Sequence, residues 1–441
     1  MKLPSITCLA GIISLCWSVN LAGATPAKPQ LPQLIEAALA HDFALQQSRQ
    51  NEQAIRAQRD AVQPLPDPRV SLGLVNVPSD GFALNEQAMT QLKVGVSQRL
   101  PRGNSVALQQ QALQASATRQ PALRAQRAAE VSRDITRVWI NLIVLQRSAS
   151  LIRQQSTLLE QLTSAIENSY ASSSGASQYN VLSMELLLTE LADRLESVQA
   201  KQQAAIASLS NWLPESMLAQ LSHSAPGPAD HQWLEEYIAQ SLAQPTQQHL
   251  IERLLQHPQV MAQNADIDVQ KIKQQQVAES FEPQWEVNAS YAYRQDDPDN
   301  MSRADFLSLG VSVDIPLFSR RVKNAALSAT ISSTASLETE KRLVIQQLLS
   351  KVRQLYARYP ILHSRLERYQ YELLPLRQQH YDAALNAYTS ANGDFSDVLQ
   401  SQLALIDDRM KLLSLQGDMA TLMSDLDFYL SPTINDTGAA L

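Results

Sequence analysis

Few side chains in this 441-residue chain are arranged to do bond chemistry. Its histidines, His41, His223, His231, His249, His257, His363 and His380, show no close pairing of the kind that ligates a metal. His41 and His257 hold equivalent places in two similar stretches and read as structural. Met184, Met261, Met410, Met419 and Met423 form no paired thioether motif, and Met419 and Met423, four residues apart, read as core packing. There is no phosphate loop and no nucleophile with its partners. The reading is therefore not an enzyme, with no cofactor and no metal site. Two acids keep a possible chemistry. Asp394 and Asp397 follow Gly393 in a short polar turn. Aspartate there can simply cap and start a helix, or a cluster of such carboxylates can bind cations. Which of the two applies depends on the elements that carry them.

Composition bounds those elements. The chain is rich in Gln and Ala, with few aromatics and 12 Gly, which favours long helices over a sheet-rich enzyme fold. The formal net charge is −7, so nucleic acid is not an expected partner. The N-terminus reads as a secretory signal: Lys2, an apolar stretch from Ile6 to Val19, then Ala22-Gly23-Ala24 as the cleavage pattern, giving residues 1–24 as leader and Thr25 as the first mature residue. Both cysteines, Cys8 and Cys16, lie inside it, which leaves no disulfide or thiolate site beyond. Neither follows a small residue in the manner of a lipidated cysteine, and no later stretch is apolar enough to span a membrane as a helix.

The chain repeats itself. Leu34-Ile35-Glu36 with His41 returns as Leu250-Ile251-Glu252 with His257. Leu92-x-x-Gly95-Val96-Ser97 with Pro101 returns as Leu307-x-x-Gly310-Val311-Ser312 with Pro316, and Asn180-Val181-Leu182 as Asp397-Val398-Leu399. This divides it into a first unit, 25–225, and a second, 226–441, joined near the turn-rich Ser224-Ala225-Pro226-Gly227-Pro228. Each unit is expected to run helix, two strands, very long helix, turn, helix. Leu348, Val352, Leu355, Tyr359, Leu362, Leu366, Tyr369, Leu373 and Leu376 step by fours and threes as a heptad seam, and Val131, Ile135, Val138, Leu142, Leu145, Ala149 and Ile152 do the same in the first unit. From Gly103 to Tyr170 the rod should be about 100 Å long. Pro360 and Pro375 should kink the second rod or mark tightened turns.

The strands alternate with period two. They are expected near 69–77, 92–100, 285–293 and 307–315. Trp285, Val287, Ala289, Tyr291 and Tyr293 share one face against Glu286, Asn288 and Ser290. Leu307, Leu309, Val311, Val313 and Ile315 oppose Ser308, Gly310, Ser312 and Asp314. Each run has the roughly nine residues that a tilted strand needs to cross a bilayer, and the alternation with aromatics is that of a membrane β-barrel. Four strands cannot close a barrel, and open edges are not tolerated in lipid. Three protomers would supply twelve strands. The alternative is a soluble periplasmic coiled-coil scaffold or adaptor, which would not need two equivalent hairpins with apolar faces.

Over essentially the whole mature chain the sequence resembles the TolC-like outer-membrane efflux protein family. The tandem unit, strand pairs and rods carry the resemblance. So do Leu65-Pro66-Asp67-Pro68 before the first strand, Gly95-Val96-Ser97-Gln98-x-Leu100-Pro101 in the second, Phe318 after Ile315-Pro316-Leu317, and Tyr388 nine residues before Asp397-Val398-Leu399. The Leu-Pro-Asp-Pro stretch looks most like the heavy-metal-efflux subgroup. The resemblance implies a mainly α fold with a membrane β-barrel portion: a homotrimer with a twelve-stranded barrel in outer-membrane lipid and an α-barrel tunnel in the periplasm. It also implies docking to a periplasmic adaptor protein and an inner-membrane efflux pump, with metal ions or small toxic compounds as cargo; the duct of a protein secretion system is the alternative within the family. The turns Tyr170–Asn180 and Tyr388–Asp397 would then be the periplasmic tips. Tyr388, Gly393, Asp394, Asp397 and Gln400 would form a gate, and Tyr170, Gly175 and Asn180 an adaptor-docking turn. Three departures from the family pattern stand out: Gly393 replaces a basic residue, Gln400 a second acid, and Asn180 an acid of the first turn. Capping and gating therefore both remain open for Asp394 and Asp397.

Overall fold

The computed structural model describes residues 30–171, 178–223, 226–240, 246–299, 301–390 and 392–430. The leader expected at 1–24, Gly175, and the Ser224-Ala225 part of the expected join lie outside them.

The chain is built from eleven helices and four strands among these residues. Two helices, α1 (Leu31–His41) and α2 (Phe43–Asp60), lead into β1 (Arg69–Val75) and β2 (Gln91–Arg99). A single helix, α3 (Ser105–Ala171), follows, with Pro121 inside it, and α4 (Gln178–Ser208) runs back along it. A 3₁₀ turn and two short helices, α5 (Glu215–His223) and α6 (Pro228–Ile238), flank the join. The order then recurs: α7 (Gln247–Leu255), α8 (Pro258–Glu279), β3 (Gln284–Tyr293), β4 (Phe306–Asp314), α9 (Arg320–Glu367), α10 (Leu374–Thr389) and α11 (Phe395–Leu430). The heptads dictate the packing. Val131, Ile135, Leu142, Leu145, Ala149 and Ile152 of α3 are all buried. The sequence pattern did not separate α5 and α6 from a turn. Their Leu218, Leu221 and Leu234 are buried in one cluster with Leu34, Ala38 and Trp139, so tertiary packing holds helices too short to persist alone.

The second rod is helical without a break from Arg320 to Thr389, and Pro360 leaves it uninterrupted. Before Pro375, however, the helix widens to a π turn over Arg368–Leu373, where the Leu374 amide donates to the Tyr369 carbonyl. The expectation of a tightened turn is thus corrected. Proline has no N–H for the Tyr371 carbonyl and its ring presses on that oxygen, and a wider turn moves the carbonyl aside. The extra residue also ends the heptad seam early: Leu348, Val352 and Leu362 are buried, but Leu376 is 64% exposed.

The four strands form one antiparallel sheet in the order β1-β2-β3-β4. β1 stops at Val75, two residues short of expectation, because Asn76 turns left-handed (φ 57°), a conformation asparagine tolerates well. No described helix is long and apolar enough to cross a membrane.

Candidate functional site

The sheet register sorts side chains by polarity across all four strands. Val70 pairs with Val96, Val96 with Ala289, and Ala289 with Leu309. The next row runs Leu72, Val94, Tyr291, Leu307. On the opposite face the rows read Ser71, Gly95, Ser290, Ser308 and Arg69, Ser97, Asn288, Gly310. The apolar face is left bare: Leu72 and Leu307 are each 73% exposed and Leu309 78%. A sheet in water buries that face; this one offers it to an apolar solvent. Among the described residues nothing pairs with the outer edges of β1 and β4.

Loops at one end of the sheet are tied together by arginines of the β3–β4 connection. Arg303 donates to the Asn85 and Gln87 carbonyls, and Arg294 to that of Ala88. The Arg294 guanidinium also lies over the Phe306 ring, 4.0 Å from its centroid.

The other end is helical. The α3–α4 and α10–α11 hairpins share a core that includes Ile152, Leu159, Met184, Leu187, Val398 and Ile406. Within it Gln402 of α11 donates to Gln155 of α3 at 2.7 Å, both side chains buried. Phe395 opens α11, 4% exposed, its ring 5.2 Å from that of Tyr388. This contact fixes the turn in which the expected site residues lie. Asn392 donates its amide to the Ala387 carbonyl, and the Asp397 amide donates to the Asp394 carbonyl. Asp394 immediately precedes α11 and Asp397 lies in its first turn, where the positive end of the helix dipole favours a carboxylate. Gly393 presses on α10: a Cβ there would sit 2.8 Å from the Ala387 Cβ, so the basic residue of the family pattern has no room without a shift.

Gly393, Asp394, Asp397 and Gln400 come together along one wall of a cavity of about 630 Å³ between α10 and α11. Arg377 and His380 line it as well and were not singled out in the sequence. Their signal is a face of α10 stepping through Arg377, His380, Ala384 and Ala387, opposite Asp397, Gln400 and Ala404 of α11. Arg377 is held by Asp408 at 2.7 Å. Tyr388 lies in the core behind the turn, half-buried. In the first hairpin Tyr170 falls in the last turn of α3 and Asn180 in the first turn of α4, with Gly175 between them outside the described residues.

Residues 250–430 match the family described as outer membrane efflux protein. That match lies in the second half of the chain. The likeness in fold to TolC-like efflux channels extends through both halves. The structure of CusC, described for folding and transmembrane channel formation, superposes with a TM-score of 0.73 at 15% identity, covering 92% of each chain. The outer membrane protein VceC from Vibrio cholerae gives 0.69 at 15%, covering 92% of this chain and 97% of that one. The open MtrE outer membrane channel of Neisseria gonorrhoeae gives 0.70 at 15%, covering 91% and 89%. Comparison with curated proteins finds no match.

Proposed function

We propose that this efflux-family chain is the outer-membrane channel subunit of a tripartite efflux system, a passive exit duct rather than an enzyme. The observation that carries the reading is the four-stranded sheet with a bare apolar face and two unpaired edges, set on helical hairpins about 100 Å long. Such a sheet is stable in lipid only when its edges are paired by copies of itself. The helices also leave apolar side chains exposed, Tyr179, Leu182 and Leu186 on α4 and Ile331, Leu343 and Ile361 on α9. A homotrimer joins these surfaces, closes a twelve-stranded barrel in outer-membrane lipid and encloses a periplasmic tunnel. The chain divides into repeats at 25–225 and 226–441 after a 24-residue leader. A periplasmic adaptor docks at the hairpin tips, Tyr170, Gly175 and Asn180 included, and an inner-membrane pump supplies the energy. The cargo carried over from the Leu65-Pro66-Asp67-Pro68 resemblance is metal ions, with small toxic compounds as the wider class.

In this assembly Asp394 and Asp397 repeat three times around the axis at the narrow end. Like charges brought together repel and favour an open or cation-occupied tip, while a bound divalent cation bridges them and favours closure. Tyr388 anchors the turn, Gly393 keeps it against α10, and Gln400 lines the wall behind the acids. The purified protein is expected to conduct in planar bilayers with cation selectivity and block by divalent cations. The D394N/D397N double substitution should reduce both, and substitution of Gln178 in the first hairpin should change neither. If the double variant keeps wild-type selectivity and block, the two acids serve only as helix-start residues.

A further inference from the structure

On the polar face of the sheet one charge lies nearest the loop end, apart from the others. Lys93 of β2 pairs in register with Gly73 on one side and Ala292 on the other, and Ala292 pairs with Phe306. Its neighbours in the row are small: a Cβ built on Gly73 meets nothing within 4 Å. The exposed Lys93 side chain therefore has open space beside it and no carboxylate in its row. The next row inward, Ser71, Gly95, Ser290 and Ser308, is neutral. Arg69 is two rows in, about 14 Å along the strands, and Arg99 with its partner Glu286 (3.4 Å) is three rows in, about 20 Å away. Both separations exceed a Debye length of about 8 Å at physiological salt, so the Arg99–Glu286 pair does not screen Lys93. At the far end of the same row the Arg294 guanidinium covers Phe306, adding a second cation. The Arg294 backbone amide donates to Asp305 at 2.9 Å, so part of its charge is offset and Lys93 carries the larger share.

We infer that Lys93, seconded by Arg294, forms an anion-attracting ring inside the barrel, a selectivity site for small anions and for the carboxylate or phosphate groups of passing cargo. This rests on the trimeric channel reading, in which the polar face lines the lumen. Threefold repetition places three copies of each cation on one level of a water-filled bore with low-dielectric walls, which focus the field. The duct is then electrically two-ended: acids at the periplasmic tip gather cations, and the basic ring near the mouth repels them outward and lets anions accompany them.

The test uses planar bilayers under a potassium chloride gradient, with D394N/D397N as the background so that the tip acids do not mask the barrel. This channel should prefer chloride. K93Q should bring the chloride-to-potassium permeability ratio towards one, K93R should restore it, and K93E should lower it by on the order of fivefold. Because the only native cysteines are Cys8 and Cys16, K93C offers a second measurement. A water-soluble, membrane-impermeant thiol reagent should label K93C in the assembled protein and leave V94C, on the apolar face, unlabelled. A conducting K93E channel with unchanged selectivity, or K93C left unlabelled, would overturn the inference while the channel stands. Absence of any conductance from the unmodified protein would overturn the channel reading and this inference with it.

Discussion

The two equivalent histidines show how one sequence feature resolves into two different physical roles. His257 is buried at the start of α8, where its Nδ1 accepts from the Gln259 amide at 3.3 Å and its ring meets Phe428 and Tyr429 of α11. His41 is exposed at the end of α1. The capping there falls to the next residue, Asp42, which accepts from the Leu45 amide at 2.8 Å and pairs with Arg127. The structural reading of the pair thus holds for His257 and passes to Asp42 in the first unit. Burial holds the His257 imidazole below its ordinary range, with the nearby Phe428 backbone pulling weakly the other way. The folded state therefore binds fewer protons than the unfolded one below about pH 6.5, and stability should fall as pH drops through that value. H257N keeps an acceptor for the Gln259 amide and has nothing to protonate. Melting temperatures between pH 7 and pH 5 should fall less for H257N than for the wild type, and parallel curves would show that another group drives the acid response. Glu52 is the opposite case. Burial opposes its charge, but Arg124 at 2.6 Å and Arg56 at 2.5 Å overcome that and hold it below the usual carboxylate range. Nothing in a lone Glu on a polar helix signalled this buried knot between α2 and α3.

Among the elements, the strands were the most legible, because a period of two assigns every side chain to one face or the other. The expected facing of β4 is seen in the register, with Leu309 on the apolar row and Ser308 on the polar one. Arginine on a lipid-facing strand position costs about 2–4 kcal/mol at the bilayer midplane, and far less on a water-filled side. L309R should therefore reduce the amount of assembled outer-membrane protein several-fold, while S308R should assemble near wild-type levels. Quantifying heat-modifiable species on gels of outer-membrane fractions would check this, and equal yields for the two would reverse the facing. The helices were legible in extent but not in phase. The heptad pattern ran on through Leu373 to Leu376, whereas the π turn before Pro375 rotates the rest of the helix. A proline flags a disturbance, but the sequence does not say whether the helix kinks, tightens or widens, because that depends on what its turn packs against. Here that neighbour is α11.

For the molecule as a whole, stability and assembly are one question. A protomer that leaves Leu72, Leu307 and Leu309 bare, with two sheet edges unpaired, has no solvent in which it is content alone: water rejects the face and lipid rejects the edges. The expected outcome is a detergent-stable homotrimer, measured by native mass spectrometry or light scattering with the detergent subtracted. A persistent folded monomer would remove the twelve-strand assembly.

The sequence by itself determined the class of structure, the two long heptad rods, the positions of all four strands within two residues and the side each strand residue faces. These are properties of local period, and local period needs no knowledge of distant neighbours. Only the tertiary structure decided that Gly393, Asp394, Asp397 and Gln400 share a cavity with Arg377 and His380, that Gln155 meets Gln402 inside the coil, and that Lys93 stands between Gly73 and Ala292 with no acid in its row. Each joins residues from different elements. Which residues then meet depends on hairpin register and helix phase, and both are set by packing the whole chain at once.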